Sequence, residues 1–167
     1  YAFRLIEGGC DPLIILRRLV AHSSEDVGMA DPNALVVATS AMYAFEKMGA
    51  PEGLIPMSNA IIYVCEAQKS NSVIIAMDAA KRAAREVRDD NIPPYLMDNT
   101  FGDKETKAQS ANYKYPHNYG GWVEQQYLPD SLKDEVFYCP QGKGYEKVVE
   151  QVRREKGIKK GLPPEKK

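Results

Sequence analysis

The side chains that could act as a covalent nucleophile and its base are few in this sequence. Three cysteines and two histidines are present, at Cys10, Cys65, Cys139, His22 and His117. A cysteine nucleophile needs a base such as histidine within hydrogen-bond reach. Cys65 falls on the apolar side of a predicted helix, where cysteine behaves as a small hydrophobic residue, so we expect it in the core. Cys139 with His117 is left as the candidate pair for a small cysteine-dependent enzyme, the least favoured of the functions considered.

The sequence lacks the patterns that bind nucleotides or metal ions. The string nearest to a phosphate loop is Gln141-Gly142-Lys143-Gly144-Tyr145, which lacks the leading glycine and the hydroxyl that would hold magnesium. We interpret it as a glycine turn before the last helix. The cysteines show neither the close pairs of a zinc site nor the even count of a disulfide framework. We therefore predict no catalytic residue, no cofactor and no metal ion in this chain.

Two adjacent carboxylates in the string Ser24-Glu25-Asp26 resemble an acid and base pair. Consecutive helical residues point about 100° apart, however, so these two do not face each other. We expect Glu25 or Asp26 to pair with Arg17, with Arg18 or with a neighbouring backbone N–H, and so to lock the tight loop through Gly28.

Composition narrows the class of protein. The chain has 167 residues, with 22 Lys and Arg against 23 Asp and Glu, a formal charge of -1. This balance excludes a strong global positive field, so any contact with DNA must use a local patch. No window is long and apolar enough for a membrane span, so we expect no membrane partner, and the cysteines indicate a reducing cytoplasm. Residues 1–7 read as the end of a helix without a start signal, which favours a piece of a longer protein.

The first half of the chain is predicted to be a helical bundle, residues 1–88. Asp11-Pro12 and Asp31-Pro32 each place a capping carboxylate before a proline, which begins a helix. Pro51 and Ser70 begin two more, and Gly49 ends the helix before Pro51. The predicted apolar faces are Leu13, Leu16 and Val20; Leu35, Ala38, Met42, Phe45 and Met48; Leu54, Met57, Ile61 and Val64; and Val73, Met77, Ala80, Ala84 and Val87.

Residues 89–158 are predicted to form an irregular aromatic and proline-rich arm and a terminal helix, packed on the bundle in one structural domain. Prolines and glycines exclude a continuous helix, whereas the many tyrosines exclude a disordered linker. We expect a short strand at 136–138 and a helix at 145–156 with Val148, Val149 and Val152 inward. Residues 159–167 are expected to be a frayed tail. The fold class is thus mainly α.

Two surface features admit more than one function. Lys81, Arg85 and Arg88 form a basic stripe that could contact phosphates, although Asp78 and other acidic residues are placed to neutralise it, with Asp78 to Arg82 a favourable i,i+4 pair. The aromatic cluster is Tyr113, Tyr115, Tyr119, Trp122 and Tyr127. Such rings could stack single-stranded bases, but the arm that carries them has only Lys114, so burial against a partner subunit is favoured.

Several strings together resemble one known family. They are Asp11-Pro12, Arg17-Arg18-Leu19, Ser24-Glu25-Asp26-Val27-Gly28, Ala30-Asp31-Pro32, Pro51-Glu52, Lys69-Ser70-Asn71-Ser72, Tyr115-Pro116-His117 and Gln125-Gln126-Tyr127-Leu128-Pro129. Their order and spacing resemble the C-terminal region of the replication-associated recombination protein A family. These proteins are clamp-loader-like AAA+ ATPases that are similar to the Werner-helicase-interacting protein.

The resemblance implies a helical collar through which four subunits assemble. It places ATP, Mg²⁺ and the ATPase active site upstream, in the full-length protein, and gives no catalytic residue here. It further implies a bacterial, nucleoid-associated protein that acts on DNA at stalled replication forks, with single-stranded-DNA-binding protein as partner. From the exposed apolar parts of the chain, the candidate interface residues are Leu35, Met42, Phe45, Tyr113, Tyr115, Tyr119, Trp122 and Tyr127.

Overall fold

The computed structural model describes residues 1–88, 91–97 and 112–163. The described residues form six α-helices: α1 Ala2–Glu7, α2 Pro12–His22, α3 Asn33–Met48, α4 Leu54–Glu66, α5 Ser72–Glu86 and α6 Glu146–Glu155. A π-helical turn, Ser23–Val27, and a 3₁₀ turn, Gly28–Ala30, follow α2, and further 3₁₀ turns are Pro94–Leu96, Pro116–Tyr119 and Asp130–Leu132. The described ranges contain no strand. The mainly α prediction is therefore confirmed.

The two Asp-Pro pairs begin helices as the sequence predicts. Asp11 accepts a hydrogen bond from the Leu13 backbone N–H at 2.9 Å, and Pro12 is the first residue of α2. Asp31 accepts from the Asn33 N–H at 3.1 Å, and α3 begins one residue after the proline. Both carboxylates satisfy donors that the first helical turn leaves free.

The core lies where α2, α3 and α4 pack together. Its buried residues are Leu16, Ala41, Phe45, Met57 and Ala60. Alanines on the buried face of α3 bring the neighbouring helices close to its backbone. At the corner before α4, a Cβ on Gly53 would lie 2.8 Å from Phe45 Cδ2, so only glycine fits.

The buried faces of α3 and α5 differ from the predicted ones. In α3 the buried residues are Ala34, Ala38, Ala41 and Phe45, whereas Leu35 and Met48 are exposed. In α5 the partly buried residues include Ala76, Ala79 and Ala83. The predicted positions Met77, Ala80 and Ala84 are exposed. The predicted Ala38 and Phe45 are buried as expected, Met42 packs against the core and Val73 is partly buried, so each prediction is right in part. Small alanines supply the remaining buried positions in both helices.

Two predictions for the C-terminal part are wrong. Residues 136–138 form no strand, because a strand needs a partner strand and the Tyr138 carbonyl instead accepts a hydrogen bond from Arg153. In α6 the fully buried residue is Glu146, while Val148 and Val152 are 48% and 40% exposed, and Val149 is partly buried. The glycine turn before α6 is confirmed, with positive φ at Gly142 and Gly144.

The chain divides into two compact units. The first comprises Tyr1–Met77 with Phe137–Lys167, and the second comprises Asp78–Val136. The predicted domain limits at residues 88 and 158 stay predictions. Asp89, Asp90, residues 98–111 of the predicted arm and 164–167 of the predicted frayed tail lie outside the described residues. None of the described helices is long and apolar enough to cross a membrane.

Candidate functional site

A buried carboxylate, Glu146, holds the C-terminal segment of the first unit against the start of α5. Its Oε1 accepts hydrogen bonds from Ser72 Oγ at 2.5 Å, Ser70 Oγ at 3.1 Å and the Tyr138 hydroxyl at 3.3 Å. Its Oε2 accepts from the Gln141 backbone N–H at 2.9 Å. Both oxygens of this fully buried group are therefore satisfied, as a buried charge requires.

The surroundings of Glu146 also hold Tyr138 in its neutral form. The pKa of Tyr138 is raised to about 12. Burial is the largest cause, and the negative charge of Glu146 and the hydrogen bond to it add to the shift. The Arg153 guanidinium lies 5.1 Å from the centre of the Tyr138 ring and partly opposes this shift. The hydroxyl thus remains a hydrogen-bond donor to Glu146 at neutral pH.

The loop after α2 joins the same junction. The Tyr145 N–H donates to the Ala30 carbonyl at 2.8 Å, and the Ser70 N–H donates to the Asp26 carbonyl at 2.7 Å. A Cβ on Gly144 would lie 2.1 Å from the Ala30 oxygen. We call Asp26–Ala30, Ser70–Ser72 and Tyr138–Glu146 together the Glu146 junction.

Three of the eight strings that carry the family resemblance contribute residues to this junction. Gly28 has φ of +51°, and a Cβ there would lie 3.0 Å from the Ser70 carbonyl oxygen. Asn71 Oδ1 accepts a hydrogen bond from Gln141 Nε2 at 2.6 Å. Lys69 Nζ donates to the carbonyls of Val64, Cys65 and Ala67, and so satisfies the last turn of α4. These residues are structural in the first unit.

The prediction of the partner of Asp26 is wrong. Asp26 Oδ2 lies 2.5 Å from His22 Nδ1, an i,i+4 pair that spans the π-helical turn. Arg17 and Arg18 are exposed, and within the described residues neither forms an ion pair with Glu25 or Asp26. The π-helical turn determines this outcome because it presents Asp26 to the histidine one turn before it.

Asp31 has a second partner besides the start of α3. Its Oδ2 accepts a hydrogen bond from the Tyr63 hydroxyl at 2.9 Å, which ties α4 to the loop before α3. That hydrogen bond is the main cause that raises the pKa of Tyr63. Pro32 is exposed and precedes the helix, and Ser24 is partly buried within the π-helical turn.

The candidate nucleophiles gain no support from the geometry. Cys65 is exposed, so the expected core position is wrong: Met57, Ala60 and Val64 occupy the buried face of α4 and Cys65 is rotated away. Cys139 is also exposed and belongs to the first unit. His117 belongs to the second unit, and its ring contacts the Tyr115 ring in a tilted arrangement with ring centres 4.9 Å apart. Among the described residues, no group of three or more potential metal ligands comes together.

One face of α3 is apolar and exposed. Leu35 is 40% exposed, Val36 59% and Tyr43 62%, with the partly buried Thr39 and Met42 between them. At 100° per residue these five side chains share an arc of about 120°, which we call the α3 face. Phe45, a predicted interface residue, lies in the core instead and is withdrawn from that set.

The predicted basic stripe lies only partly on α5: Lys81 and Arg85 belong to the helix, whereas Arg88 follows its last residue, Glu86. Lys81, Arg85 and Arg88 are all exposed, and no carboxylate among the described residues lies within 4.0 Å of them. The expected pair between Asp78 and Arg82 is likewise not formed within the described residues. Two further acidic residues that were expected to compensate the stripe, Asp89 and Asp90, lie outside the described residues.

The aromatic cluster of the second unit is mostly exposed. Tyr113, Tyr115, Tyr119 and Tyr127 are 40–55% exposed, and Trp122 is partly buried. Gln125 fixes part of the cluster: its amide exchanges hydrogen bonds with the Lys114 backbone N–H and carbonyl, each 3.2 Å long, and donates to the Tyr127 hydroxyl at 2.7 Å.

Comparison with known proteins identifies the family. The family model described as "MgsA AAA+ ATPase C terminal" matches residues 1–156. The chain belongs to this family. Replication-associated recombination protein A of Bacillus subtilis is 42% identical over 154 residues, which cover 91% of this chain and 36% of that protein. The Escherichia coli K12 protein of the same name is 35% identical over 145 residues, 86% of this chain and 32% of that protein.

A eukaryotic relative is more distant. ATPase WRNIP1 of Dictyostelium discoideum is 31% identical over 147 residues, which cover 84% of this chain and 17% of that protein. The resemblance stated from the sequence strings is confirmed. The chain spans about a third of the length of the bacterial relatives that it matches, and it corresponds to the C-terminal region of a AAA+ ATPase.

The sequence analysis missed the residues at the centre of the Glu146 junction. Glu146 was not singled out, although an acidic residue at the start of a helix is a recognisable signal for a favourable helix terminus. Its partners Ser70 and Ser72 lie 76 and 74 residues away in the sequence. No local pattern could join them.

Proposed function

We propose that this chain is the non-catalytic oligomerisation domain of a AAA+ ATPase that acts in replication-fork maintenance, recombination and repair. The names of the bacterial relatives support the process, and membership of the MgsA C-terminal family supports the ATPase. In this proposal ATP and Mg²⁺ bind elsewhere in the full-length protein, in a bacterial cytoplasm and at the nucleoid. The full-length protein contacts DNA and single-stranded-DNA-binding protein.

The α3 face is the observation that carries the proposal. Exposure of large apolar side chains such as Val36 and Tyr43 to water is unfavourable. A second copy that covers them therefore lowers the free energy of the assembly. The face runs along α3, whose opposite side is anchored in the core, so its shape is fixed before assembly. A rigid surface loses little conformational entropy on binding.

A homo-tetramer with two-fold symmetries needs a second contact. A stable interface buries at least about 1,200 Å² in total, which one face of a single helix does not reach alone. The exposed aromatic cluster is the other candidate surface from the sequence. Assembly through this domain would hold the ATPase modules together, so that a conformational change in one subunit is transmitted to the others.

Light scattering coupled to size exclusion tests the proposal at micromolar protein concentration. We expect the wild-type chain to be a tetramer or a dimer. The double substitution Val36→Glu with Tyr43→Glu should shift it towards the monomer, because it buries charges in the contact. Val148→Glu, which changes an exposed valine on α6, is the matched control and should leave the mass unchanged. A wild-type chain that stays monomeric at all concentrations contradicts the proposal.

A further inference from the structure

One end of the helical bundle in the first unit exposes several large apolar side chains. The core shows which helix termini meet there, because Leu16 near the start of α2 clusters with Phe45 near the end of α3 and Met57 near the start of α4. The short helix α1 lies at this end too, since Ala2 and Ile6 pack against the same core cluster. We call this part of the bundle the α1 end.

Five exposed side chains make the α1 end apolar. They are 44–73% exposed and comprise Phe3 and Leu5 on α1, Ile14 on α2, Met48 on α3 and Ile55 on α4. The last three all lie close to a helix terminus: Ile14 and Ile55 fall within the first three residues of their helices, and Met48 is the last residue of α3. A concentration of exposed apolar side chains is typical of an interaction site.

The helix α1 is the element that most needs a covering partner. It has six residues, and none of them is buried. A helix this short is only marginally stable by itself, so its stability has to come from tertiary packing. Ala2 and Ile6 supply packing on one side, whereas Phe3 and Leu5 project about 60–100° to either side of them and remain exposed. The first unit therefore gives α1 only part of the packing that so short a helix requires.

The length of the relatives indicates what covers this end. The matching family model describes a C-terminal region, and the chain covers only 36% of the Bacillus subtilis protein and 32% of the Escherichia coli protein. Under the proposed function, the ATPase part precedes this chain, so the polypeptide enters the bundle through α1. A segment that is covalently attached at α1 has a high effective concentration there, and it covers the α1 end at a lower entropic cost than a separate molecule does.

We propose that the α1 end docks the segment that immediately precedes this chain in the full-length protein, and that this segment packs there through an apolar helix face. The contact fixes the ATPase part to the bundle, so the two are not joined merely by a flexible linker. This inference rests on the proposed function for the upstream ATPase part. It does not depend on self-association, which the proposed function assigns to the α3 face.

Thiol labelling of the full-length protein and of the 167-residue chain tests the proposal. In a background without the three native cysteines of the chain, Leu5→Cys or Ile55→Cys supplies one thiol, and mass spectrometry of the labelled peptide measures its reaction with a maleimide. We expect labelling to be about tenfold slower in the full-length protein, because a covered thiol reacts only when the contact opens. Val148→Cys, 48% exposed on α6, is the matched control and should react equally fast in both proteins.

The concentration dependence of labelling identifies what covers the α1 end. Protection that is equal in the two proteins and rises with concentration would show that a second copy covers it, and the proposal would be wrong. Equally fast labelling in both proteins at every concentration would also overturn it. Light scattering on the same samples separates this result from the proposed function, because a monomeric chain contradicts self-association but does not remove the difference in labelling rate.

Substitutions in the full-length protein give a second readout that does not require the isolated chain. Leu5→Glu with Ile55→Glu should speed limited proteolysis in the segment before residue 1 about tenfold, because cleavage follows the population of the undocked form. The oligomer mass should stay unchanged, and Val148→Glu, the control, should change neither quantity. Circular dichroism checks that each variant is folded. A lower oligomer mass with unchanged proteolysis would assign the α1 end to the subunit interface and contradict the docking proposal.

Discussion

Ser72 Oγ donates a 2.5 Å hydrogen bond to Glu146 Oε1 and so joins residues 74 positions apart in the sequence. Closing a loop of this length costs conformational entropy, which grows slowly with the number of residues enclosed. The free energy that offsets this cost comes from a buried charge that accepts four hydrogen bonds. The Glu146 junction therefore fixes the C-terminal segment of the first unit to the start of α5.

Replacing Glu146 should destabilise the chain strongly. Glu146→Ala leaves the hydroxyls of Ser70 and Ser72 and the Gln141 N–H without their acceptor, so we expect the free energy of unfolding to fall by about 3 kcal/mol or more. Glu146→Gln keeps the shape and one acceptor oxygen, so the loss should be about 1–2 kcal/mol. Urea denaturation followed by circular dichroism measures both.

Glu150, one turn later on α6, provides the matched control. Its Oε1 is buried and has no hydrogen-bond partner in the described part of the chain. Removing the charge from an unsatisfied group should cost nothing, so Glu150→Gln is expected to leave the stability unchanged or to raise it. Equal losses for Glu146→Gln and Glu150→Gln would show that the junction contributes no special stability.

Gly144 is expected to tolerate no side chain. A Cβ there would overlap the Ala30 carbonyl oxygen, which also accepts the Tyr145 hydrogen bond. We predict that Gly144→Ala costs about 3 kcal/mol or more, from the overlap together with the strain of φ at +51°. Gly120→Ala has similar positive φ and no atom within 4 Å of the added Cβ, so it should cost only about 1–2 kcal/mol. Thermal unfolding of the two variants compares them, and equal losses would rule out a steric role for Ala30.

Local chemistry explains which parts of the fold could be predicted. Asp11 and Asp31 begin helices by contacts two residues away, so the sequence carries the whole signal. The buried face of α3 could not be predicted in the same way. A helical stripe of apolar residues can include either the large Leu35 or the small Ala34, so the spacing does not say which of them is buried. Packing against α2 and α4 selects the alanine side, and this tertiary choice is not encoded in hydropathy.

The basic stripe and the Glu146 junction also contain parts that the sequence predicts and parts that it does not. Spacing alone places Lys81 and Arg85 on one side of α5, but it wrongly extends the helix to Arg88, which lies beyond the last helical residue, Glu86. Whether Asp78 neutralises the stripe depends on rotamers and on neighbours that spacing does not determine, and among the described residues Asp78 forms no ion pair with these cations. The Glu146 junction was beyond prediction because its donors come from residues more than 70 positions away.

The hydrogen bond from Tyr63 to Asp31 should contribute measurably to stability. Tyr63→Phe removes the donor and leaves the ring in place, so we expect a loss of about 1 kcal/mol in urea denaturation. Tyr43→Phe is the control, since the Tyr43 ring is exposed and contacts the Lys47 ammonium through its face. A loss for Tyr63→Phe no larger than that for Tyr43→Phe would contradict this role.

Tyr138 should make the stability depend on pH in the alkaline range. Its folded-state pKa is raised to about 12 from the ordinary value of 10.0. Between these values the unfolded chain loses the phenolic proton while the folded chain keeps it, so the unfolded state binds fewer protons and stability falls as pH rises. The contribution is fully present below the unfolded-state value and is lost as pH rises through the folded-state value. We expect the stability advantage of the wild type over Tyr138→Phe, measured by urea midpoints, to be constant up to about pH 9 and to narrow above pH 10. An advantage that stays constant through this range would mean that burial and Glu146 do not hold the proton on Tyr138.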